Sequence, residues 1–105
     1  MGPRILAGSL FLFAMERWHY YISGEVQGVG FRWYATSIAK ELGVNGWVKN
    51  LRDGRVEIIA EAEPDILESF TEKMKKSYLG LNIHYINIEK EKATGEFKDF
   101  KILFF

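Results

Sequence analysis

Residues 19–43 read HYYISGEVQGVGFRWYATSIAKELG and carry the strongest secondary-structure signals in the chain. Apolar and other side chains alternate over residues 19–26, which predicts a β-strand. Apolar residues then recur at helical spacing over residues 31–42, and Gly43 follows where a left-handed helix cap is favoured. The stretch therefore predicts a strand and a helix joined by a short glycine-rich turn.

Downstream, the pattern predicts a hairpin and a second helix. Residues 44–51 and 55–61 are β-prone, and the segment between them contains the Asp-Gly pair typical of hairpin turns. Pro64 suits the first position of a helix, and an apolar stripe follows that stops before Gly80. The stripe consists of Ile66, Leu67, Phe70 and Met74.

The remainder of the chain predicts two more strands. We expect one strand over residues 84–91, a turn over residues 93–95, and a final strand that points Phe100, Ile102 and Phe104 inward. Right-handed crossovers then place both helices on one face of the sheet. The expected fold class is α+β: a ferredoxin-like two-layer sandwich (βαββαβ plus a short final strand) with an antiparallel sheet and two helices on one face.

The composition fits one folded domain without metal or disulfides. The chain has 105 residues, of which 48% are hydrophobic, enough to fill a core. Fourteen Lys and Arg residues balance fourteen Asp and Glu residues, so bulk charge attracts neither nucleic acid nor an anionic membrane. His19 and His84 lack the spaced partners that a zinc site needs, and cysteine is absent. We therefore expect no metal site and a cytoplasmic location.

We assign residues 1–17 to an N-terminal extension, either a disordered segment or a misplaced start with Met15 as the natural beginning. The folded domain is expected over residues 18–105. Residues 5–14 are apolar, but they are about half as long as the roughly 20 residues that cross a bilayer. A signal peptide is disfavoured because Arg4 is its only basic flanking residue and no clear small-x-small cleavage site follows.

The turn between the first strand and the first helix contains Gly24, Gly28 and Gly30. Such a turn can aim consecutive backbone N–H groups into one concavity, and the following helix adds its positive N-terminal end. The spacing matches neither the nucleotide P-loop nor the dinucleotide-binding fingerprint. By spacing alone, a phosphate site and a tight turn without a ligand are both open.

Arg32 lies in the first turn of the predicted helix, where a cation opposes the helix dipole. Its planar guanidinium matches two phosphate oxygens at once, so Arg32 favours an anionic partner beside the glycine turn. The alternative is an arginine that reaches outward to a surface carboxylate.

Two motifs in this region resemble the signatures of one enzyme family. GEVQGVGFR, residues 24–32, resembles the first signature of the acylphosphatase family, and GWVKNLRDGRV, residues 46–56, resembles the second. The resemblance extends over residues 20–104. It implies hydrolysis of the carboxyl-phosphate bond of an acyl phosphate to a carboxylate and inorganic phosphate, without a cofactor.

The resemblance also implies roles for individual residues. The attacking water is oriented by Asn50, which ends the GWVKN run, and the phosphate is held by the Arg32 side chain. The loop backbone also holds the phosphate, and it comprises Gln27, Gly28, Val29, Gly30, Phe31 and Arg32.

Three positions depart from that family's pattern. Ala62 stands where a glycine usually closes the second signature, and because it follows the predicted strand, we expect a local backbone change rather than lost catalysis. Leu81 and Asn82 follow Gly80 where prolines are frequent in the family. The shape of that loop, and with it the substrate preference, is therefore open.

The motif residues also narrow the chemistry. Neither motif supplies a His, a carboxylate pair or a metal set, so no strong base or acid is on offer. An acyl phosphate needs neither, because a carboxylate leaves without a proton and a loose phosphoryl transition state needs mainly positioning and charge stabilisation. Asn50 can accept one hydrogen bond from water and donate another, which fixes the water without deprotonating it.

Alternatives and partners follow from the same residues. A non-enzymatic phosphate-binding or regulatory module of this fold would keep the glycine turn but would not need Asn50. Nucleic-acid binding is disfavoured because the run RVEIIAE lacks the aromatic residues of RNA-binding sheets. We expect a monomer with an acyl phosphate as substrate and inorganic phosphate as product and competitive inhibitor.

Overall fold

The computed structural model describes residues 14–76 and 82–105. Its elements are β1 (Glu16–Glu25), α1 (Phe31–Leu42), β2 (Asn45–Asn50), β3 (Val56–Ala62), α2 (Pro64–Lys75), β4 (Asn82–Lys92) and β5 (Phe100–Leu103). Pro64 is the first residue of α2, and Gly43 ends α1 with a left-handed φ of 76°. The predicted order of strands and helices is confirmed.

The strands form one sheet in the order β4-β1-β3-β2-β5. β1 pairs antiparallel with β3 and β4, and β2 pairs antiparallel with β3. The expectation of an antiparallel sheet needs one correction, because β5 pairs parallel with β2 and makes the sheet mixed. The reason is the direction of β4, which forms the opposite edge of the sheet and runs in the direction opposite to that of β2. The chain reverses after β4, so β5 runs in the same direction as β2.

Both helices pack on one face of the sheet and share one core. Trp18, Tyr20 and Ile22, which alternate along β1, are at most 4% exposed and belong to that core. The Phe70 ring of α2 packs edge-on against Tyr20 and Phe100, with ring centroids 5.9 Å and 6.0 Å away. Such aromatic pairs contribute about 0.5–1.5 kcal/mol beyond the burial of their surface. The packing fixes α2 against β1 and β5.

A polar cluster fastens the connection between β4 and β5 to the end of β3. Glu61 is 1% exposed, and its carboxylate accepts hydrogen bonds from Arg17 Nε (2.9 Å) and from the backbone N–H groups of Thr94 (2.8 Å) and Gly95 (3.0 Å). Arg17 also donates to Glu96. Burial alone would raise the pKa of Glu61, but these donors hold that pKa below its ordinary value. We call these five residues the Glu61 cluster.

β1 begins upstream of the expected domain boundary. Glu16 pairs with Ala62 of β3 and with Lys92 of β4, so Glu16 and Arg17 belong to the sheet and not to an extension that ends at residue 17. Residues 1–13, which make up most of the expected extension, lie outside the described residues. None of the helices in the described residues could span a membrane.

Phe104 does not lie on the inner face of β5, which corrects the prediction for the end of the chain. Phe100 is 3% exposed, whereas Phe104 is 72% exposed and follows the last strand residue, Leu103. The difference arises because β5 is a short edge strand whose pairing with β2 ends at Leu103, opposite Lys49. The alternation of apolar residues in the sequence therefore extends to Phe104, whereas the strand ends at Leu103.

Of the positions that depart from the family pattern, Ala62 and Asn82 can be placed. Ala62 is the last residue of β3 and pairs in regular register with Glu16. Asn82 opens β4 opposite Glu25, while Leu81 lies outside the described residues. Ala62 is therefore at the end of β3 that lies far from the hairpin turn.

Candidate active site

One end of the sheet collects the predicted site residues. β1, β2 and β5 run in the same direction, so their carboxyl ends lie at the same end of the sheet. The glycine turn follows β1 and leads into the N-terminus of α1, and Asn50 is the last residue of β2. We call this the loop end. The Glu61 cluster lies at the opposite end, where β3 finishes.

The glycine turn begins with a β-bulge that requires glycine. The register between β1 and β4 shifts between Ser23 and Gly24, and Gly24 has a φ of 133°. A Cβ atom on Gly24 would lie 2.1 Å from the Asn82 carbonyl oxygen, so any side chain would displace β4. The bulge turns the chain out of the sheet. It then passes through Gly28 and Gly30 in left-handed conformations, with φ of 77° and 82°.

The N-terminus of α1 offers backbone donors beside this turn. Gly30 is the N-cap and has no side chain to accept a hydrogen bond from the first helical N–H groups. The first turn of α1 contains no acidic residue to take over that role. Gly28 and Gly30 are both exposed. The arrangement suits a phosphate, because the N–H groups and the helix dipole both attract an anion.

Arg32, the second residue of α1, stacks on an aromatic ring. Its guanidinium carbon lies 5.1 Å from the centre of the Phe104 ring, within the range of a cation–π contact. Within the described residues Arg32 forms no ion pair, which argues against the alternative of a surface salt bridge. The sequence does not predict the contact with Phe104, since the alternation of apolar residues assigns that ring to the core.

Asn50 carries a buried acceptor at the loop end. The residue pairs with Val56 at the last step of the β2–β3 ladder. Its side-chain oxygen Oδ1 is buried and has no hydrogen-bond partner in residues 14–76 and 82–105. An unsatisfied buried acceptor costs about 1–3 kcal/mol, so this atom is expected to be satisfied by a water or a bound ligand.

The Gln27 side chain connects the glycine turn to the β2–β3 hairpin. Its Nε2 donates to the carbonyl oxygen of Leu51 at 2.7 Å and to that of Arg55 at 2.8 Å. The sequence predicts only a backbone role for Gln27. The two acceptors lie 24 and 28 residues further along the chain, and their position depends on the assembled sheet, so no local signal reveals this contact.

The histidines lie elsewhere. His19 Nε2 is 2.6 Å from Glu57 Oε2, on the sheet face that points away from the helices. His84 is an exposed residue of β4. No group of three His, Cys, Asp or Glu side chains in the described part of the chain is arranged to hold a metal ion.

Known proteins are similar to this chain in both sequence and fold. The family model described as Acylphosphatase matches residues 18–102. The chain is 39% identical over 82 residues to the acylphosphatase of Methanospirillum hungatei JF-1, covering 77% of this chain and 90% of that protein. It is 40% identical over 89 residues to the acylphosphatase of Roseiflexus sp. (strain RS-1), covering 85% and 96%. The crystal structure of acylphosphatase from Bacillus subtilis aligns with a TM-score of 0.80 at 34% identity, covering 84% and 98%.

Proposed function

The chain belongs to the acylphosphatase family, and we propose that it hydrolyses acyl phosphates by means of Arg32, Asn50 and the backbone of residues 27–32. In this proposal Arg32 and the loop amides hold the phosphate, and Asn50 positions the attacking water. The family match, which spans residues 18–102, supports the reaction. The contacts at the loop end support the roles of the residues.

Phosphate binding by the glycine turn is supported by three features of the loop end. The N-cap Gly30 has no side chain to occupy the N-terminus of α1. Arg32 follows within the first turn, and its ring contact restrains the guanidinium without neutralising its charge. Backbone N–H groups and an arginine fork together match the charge and the oxygens of a phosphoryl group.

The observation that carries the proposal is the buried Oδ1 of Asn50, which has no partner within the described residues. Because Oδ1 has almost no exposed surface, a water molecule would satisfy it by donating one hydrogen once a small side-chain movement admits that water. The side-chain amide can also donate to the same water, so both the position and the orientation of the water can be set. Because β1 and β2 both end at the loop end, this water would lie at the same end of the sheet as the glycine turn.

The proposed reaction is a direct transfer of the phosphoryl group to water. The water oxygen forms a bond to phosphorus while the bond between phosphorus and the acyl oxygen breaks. The carboxylate leaves with the electron pair of that bond, and the water protons stay with the phosphate product. Charge on the phosphoryl oxygens is met by Arg32 and the loop N–H groups, so neither a general base nor a cofactor takes part.

The proposal extends to the partners and setting of the enzyme. The substrate is a small acyl phosphate, and inorganic phosphate is both a product and a competitive inhibitor, because it fits the same cradle. We propose a monomer that acts in the cytoplasm without nucleic-acid or membrane partners.

Hydrolysis of benzoyl phosphate tests the proposal. We expect turnover that EDTA does not change and that inorganic phosphate inhibits competitively. Asn50→Ala should lower kcat by about a hundredfold to a thousandfold, the usual cost of losing one preorganised polar group. Asn45→Ala is the matched control: it lies at the other end of β2, where its amide donates to the Phe97 carbonyl oxygen at 3.3 Å. It should keep the wild-type kcat.

Near-normal turnover by Asn50→Ala would remove Asn50 from the mechanism, and loss of activity in EDTA would refute the metal-independent reaction. The same assay tests the alternative of a non-enzymatic module. Such a module would be stabilised by inorganic phosphate in a thermal unfolding experiment but would not hydrolyse benzoyl phosphate. Asn50 disfavours this alternative, since a binding module has no need of a residue that positions water.

A further inference from the structure

The two halves of the proposed site lie on strands that are not neighbours. β3 lies between β1 and β2 in the sheet, and adjacent strands are about 4.8 Å apart, so the ends of β1 and β2 are separated by about 10 Å. Pairing between β1 and β3 ends at Ile22 and Val56. The glycine turn extends past this last pair, so the β1–β3 ladder does not fix the turn relative to Asn50.

The Gln27 side chain spans this gap. Leu51 N–H donates to the Arg55 carbonyl oxygen at 2.8 Å, and Gly54 N–H donates to the Leu51 carbonyl oxygen at 3.2 Å, which closes the β2–β3 hairpin. The Gln27 amide donates to the same two carbonyl oxygens. Both hydrogens of one NH₂ group are therefore directed at the base of the hairpin, one residue beyond Asn50.

The contact is specific in chemistry and in position. A side chain that replaces Gln27 needs two donors on one planar group and the same reach, because both acceptors are backbone carbonyl oxygens. Within residues 14–76 and 82–105, no other hydrogen bond joins residues 26–30 to the hairpin residues 50–55. This amide is thus the hydrogen-bonded link between the turn and the hairpin next to Asn50, in addition to the packing of Val26 and Phe31 in the core.

We propose that Gln27 is a positioning residue that holds Asn50 in register with the phosphate cradle. The inference rests on the proposed function, since it acts through the water that Asn50 is proposed to hold. An in-line attack requires the water to lie opposite the bond that breaks, and a displacement of about 1 Å between the reacting groups can cost a hundredfold in rate. The Gln27 side chain sets that geometry through the hairpin, without contacting the reacting atoms.

The inference predicts a split between catalysis and phosphate binding. The loop amides and Arg32 belong to one continuous segment, so they can still hold a phosphate when the bridge to the hairpin is lost. The water on Asn50 would then be misplaced relative to that phosphate. A variant at Gln27 should therefore have a lower kcat, while the inhibition constant of inorganic phosphate should stay close to that of the wild type.

The first experiment compares Gln27→Met with the wild type on benzoyl phosphate. Methionine has a similar length but no donors, and we expect kcat to fall by about tenfold to a hundredfold. Asn45→Ala again serves as the control, because it also removes an amide-to-carbonyl hydrogen bond, but at the opposite end of the sheet. It should leave kcat unchanged. A rise in the phosphate inhibition constant as large as the fall in kcat would overturn the inference.

The second experiment measures coupling between Gln27 and Asn50. Once Asn50→Ala has removed the water site, adding Gln27→Met should lower kcat little further, since the bridge then has nothing to position. If Asn50→Ala is impaired but Gln27→Met lowers kcat by the same factor in the wild type and in Asn50→Ala, the role of Gln27 is refuted and the proposed water site is not. A wild-type kcat for Asn50→Ala would refute the proposed water site and the role of Gln27 together.

A second variant keeps the test valid if Gln27→Met does not fold. Gln27→Glu presents a carboxylate without donors at neutral pH and one donor when it is protonated. Its kcat relative to the wild type should therefore rise as the pH falls through the titration of that carboxyl group. A ratio that does not change with pH would overturn the inference.

Discussion

The two ends of the sheet differ in how their buried polar groups are satisfied. In the Glu61 cluster, the buried carboxylate accepts hydrogen bonds from an arginine side chain and from two backbone N–H groups. At the loop end, the buried Oδ1 of Asn50 has no partner within the described residues, and Arg32 rests against an exposed ring. Both ends belong to β3, which contains Glu61 and pairs its first residue with Asn50.

This difference would separate residues that hold the fold from those that we propose to serve the reaction. A buried polar group with all its partners present contributes stability, and removing it leaves those partners unsatisfied. A buried acceptor without a partner lowers stability until a ligand or water satisfies it. Substitutions at the two ends should therefore have separable effects, with stability changing at one end and turnover changing at the other.

The largest effect is expected from Arg32→Ala. The variant should lower kcat/KM for benzoyl phosphate by about a hundredfold to a thousandfold, because it removes a preorganised charge from the phosphoryl group. The free energy of unfolding in urea should change by no more than about 1 kcal/mol, the scale of the exposed cation–π contact that is lost. Arg32→Lys keeps the charge but loses the planar guanidinium, so its kcat/KM should lie between those of the wild type and Arg32→Ala. A large loss of stability in Arg32→Ala would show that the loop end is also structural.

The next effect is expected from Glu61→Gln at the opposite end. This variant should lose about 1–3 kcal/mol of unfolding free energy, because a neutral amide cannot accept from Arg17 and two backbone N–H groups as a carboxylate does. Its kcat on benzoyl phosphate should equal that of the wild type at a temperature where both are folded. Glu96→Gln, at an exposed member of the cluster, is the control and should lose less unfolding free energy than Glu61→Gln. A fall in kcat comparable to that of Arg32→Ala would contradict the separation of the two ends.

Acid should weaken the Glu61 cluster in a predictable direction. The folded-state pKa of Glu61 lies below the ordinary value of 4.5. As the pH falls, the unfolded chain therefore takes up its proton first. The stability that Glu61 contributes is complete above the ordinary carboxyl pKa, and it is lost as the pH falls through the folded-state pKa. Urea midpoints measured at decreasing pH should fall more steeply for the wild type than for Glu61→Gln. Equal slopes would show that other carboxyl groups control the acid sensitivity.

The smallest effect is expected from Phe104→Leu at the loop end. A cation–π contact at an exposed site is worth about 0.5–1 kcal/mol, so the phosphate inhibition constant should rise by about twofold to fivefold. Phe105→Leu provides the matched control, since the Phe105 ring contacts Lys49 at 5.6 Å and not Arg32. If both variants bind phosphate as the wild type does, the ring of Phe104 does not restrain Arg32.

Local signals in the sequence predicted the order of the elements, whereas long-range contacts escaped prediction. Alternation, helical spacing and Pro64 each depend on neighbours in the chain, and the structure confirms the elements that they indicate. The parallel direction of β5 and the place of Glu16 in β1 depend on strands that are distant in sequence. The contact of the Gln27 amide with the Leu51 and Arg55 carbonyl oxygens likewise depends on residues that are distant in sequence. Whether Arg32 and Asn50 carry the reaction stays a prediction from the motifs.

The position of β3 between β1 and β2 also has a consequence for protein synthesis. Arg32 and Asn50 precede β3 in the chain, so a growing polypeptide contains both residues before it contains the strand that spaces them. β5 follows later still, and Phe104, whose ring contacts Arg32, comes directly after β5. Chains that stop before β3 would thus contain Arg32 and Asn50 without the sheet that brings them together. Turnover measured on stalled chains of increasing length would report when the last of these parts has been added.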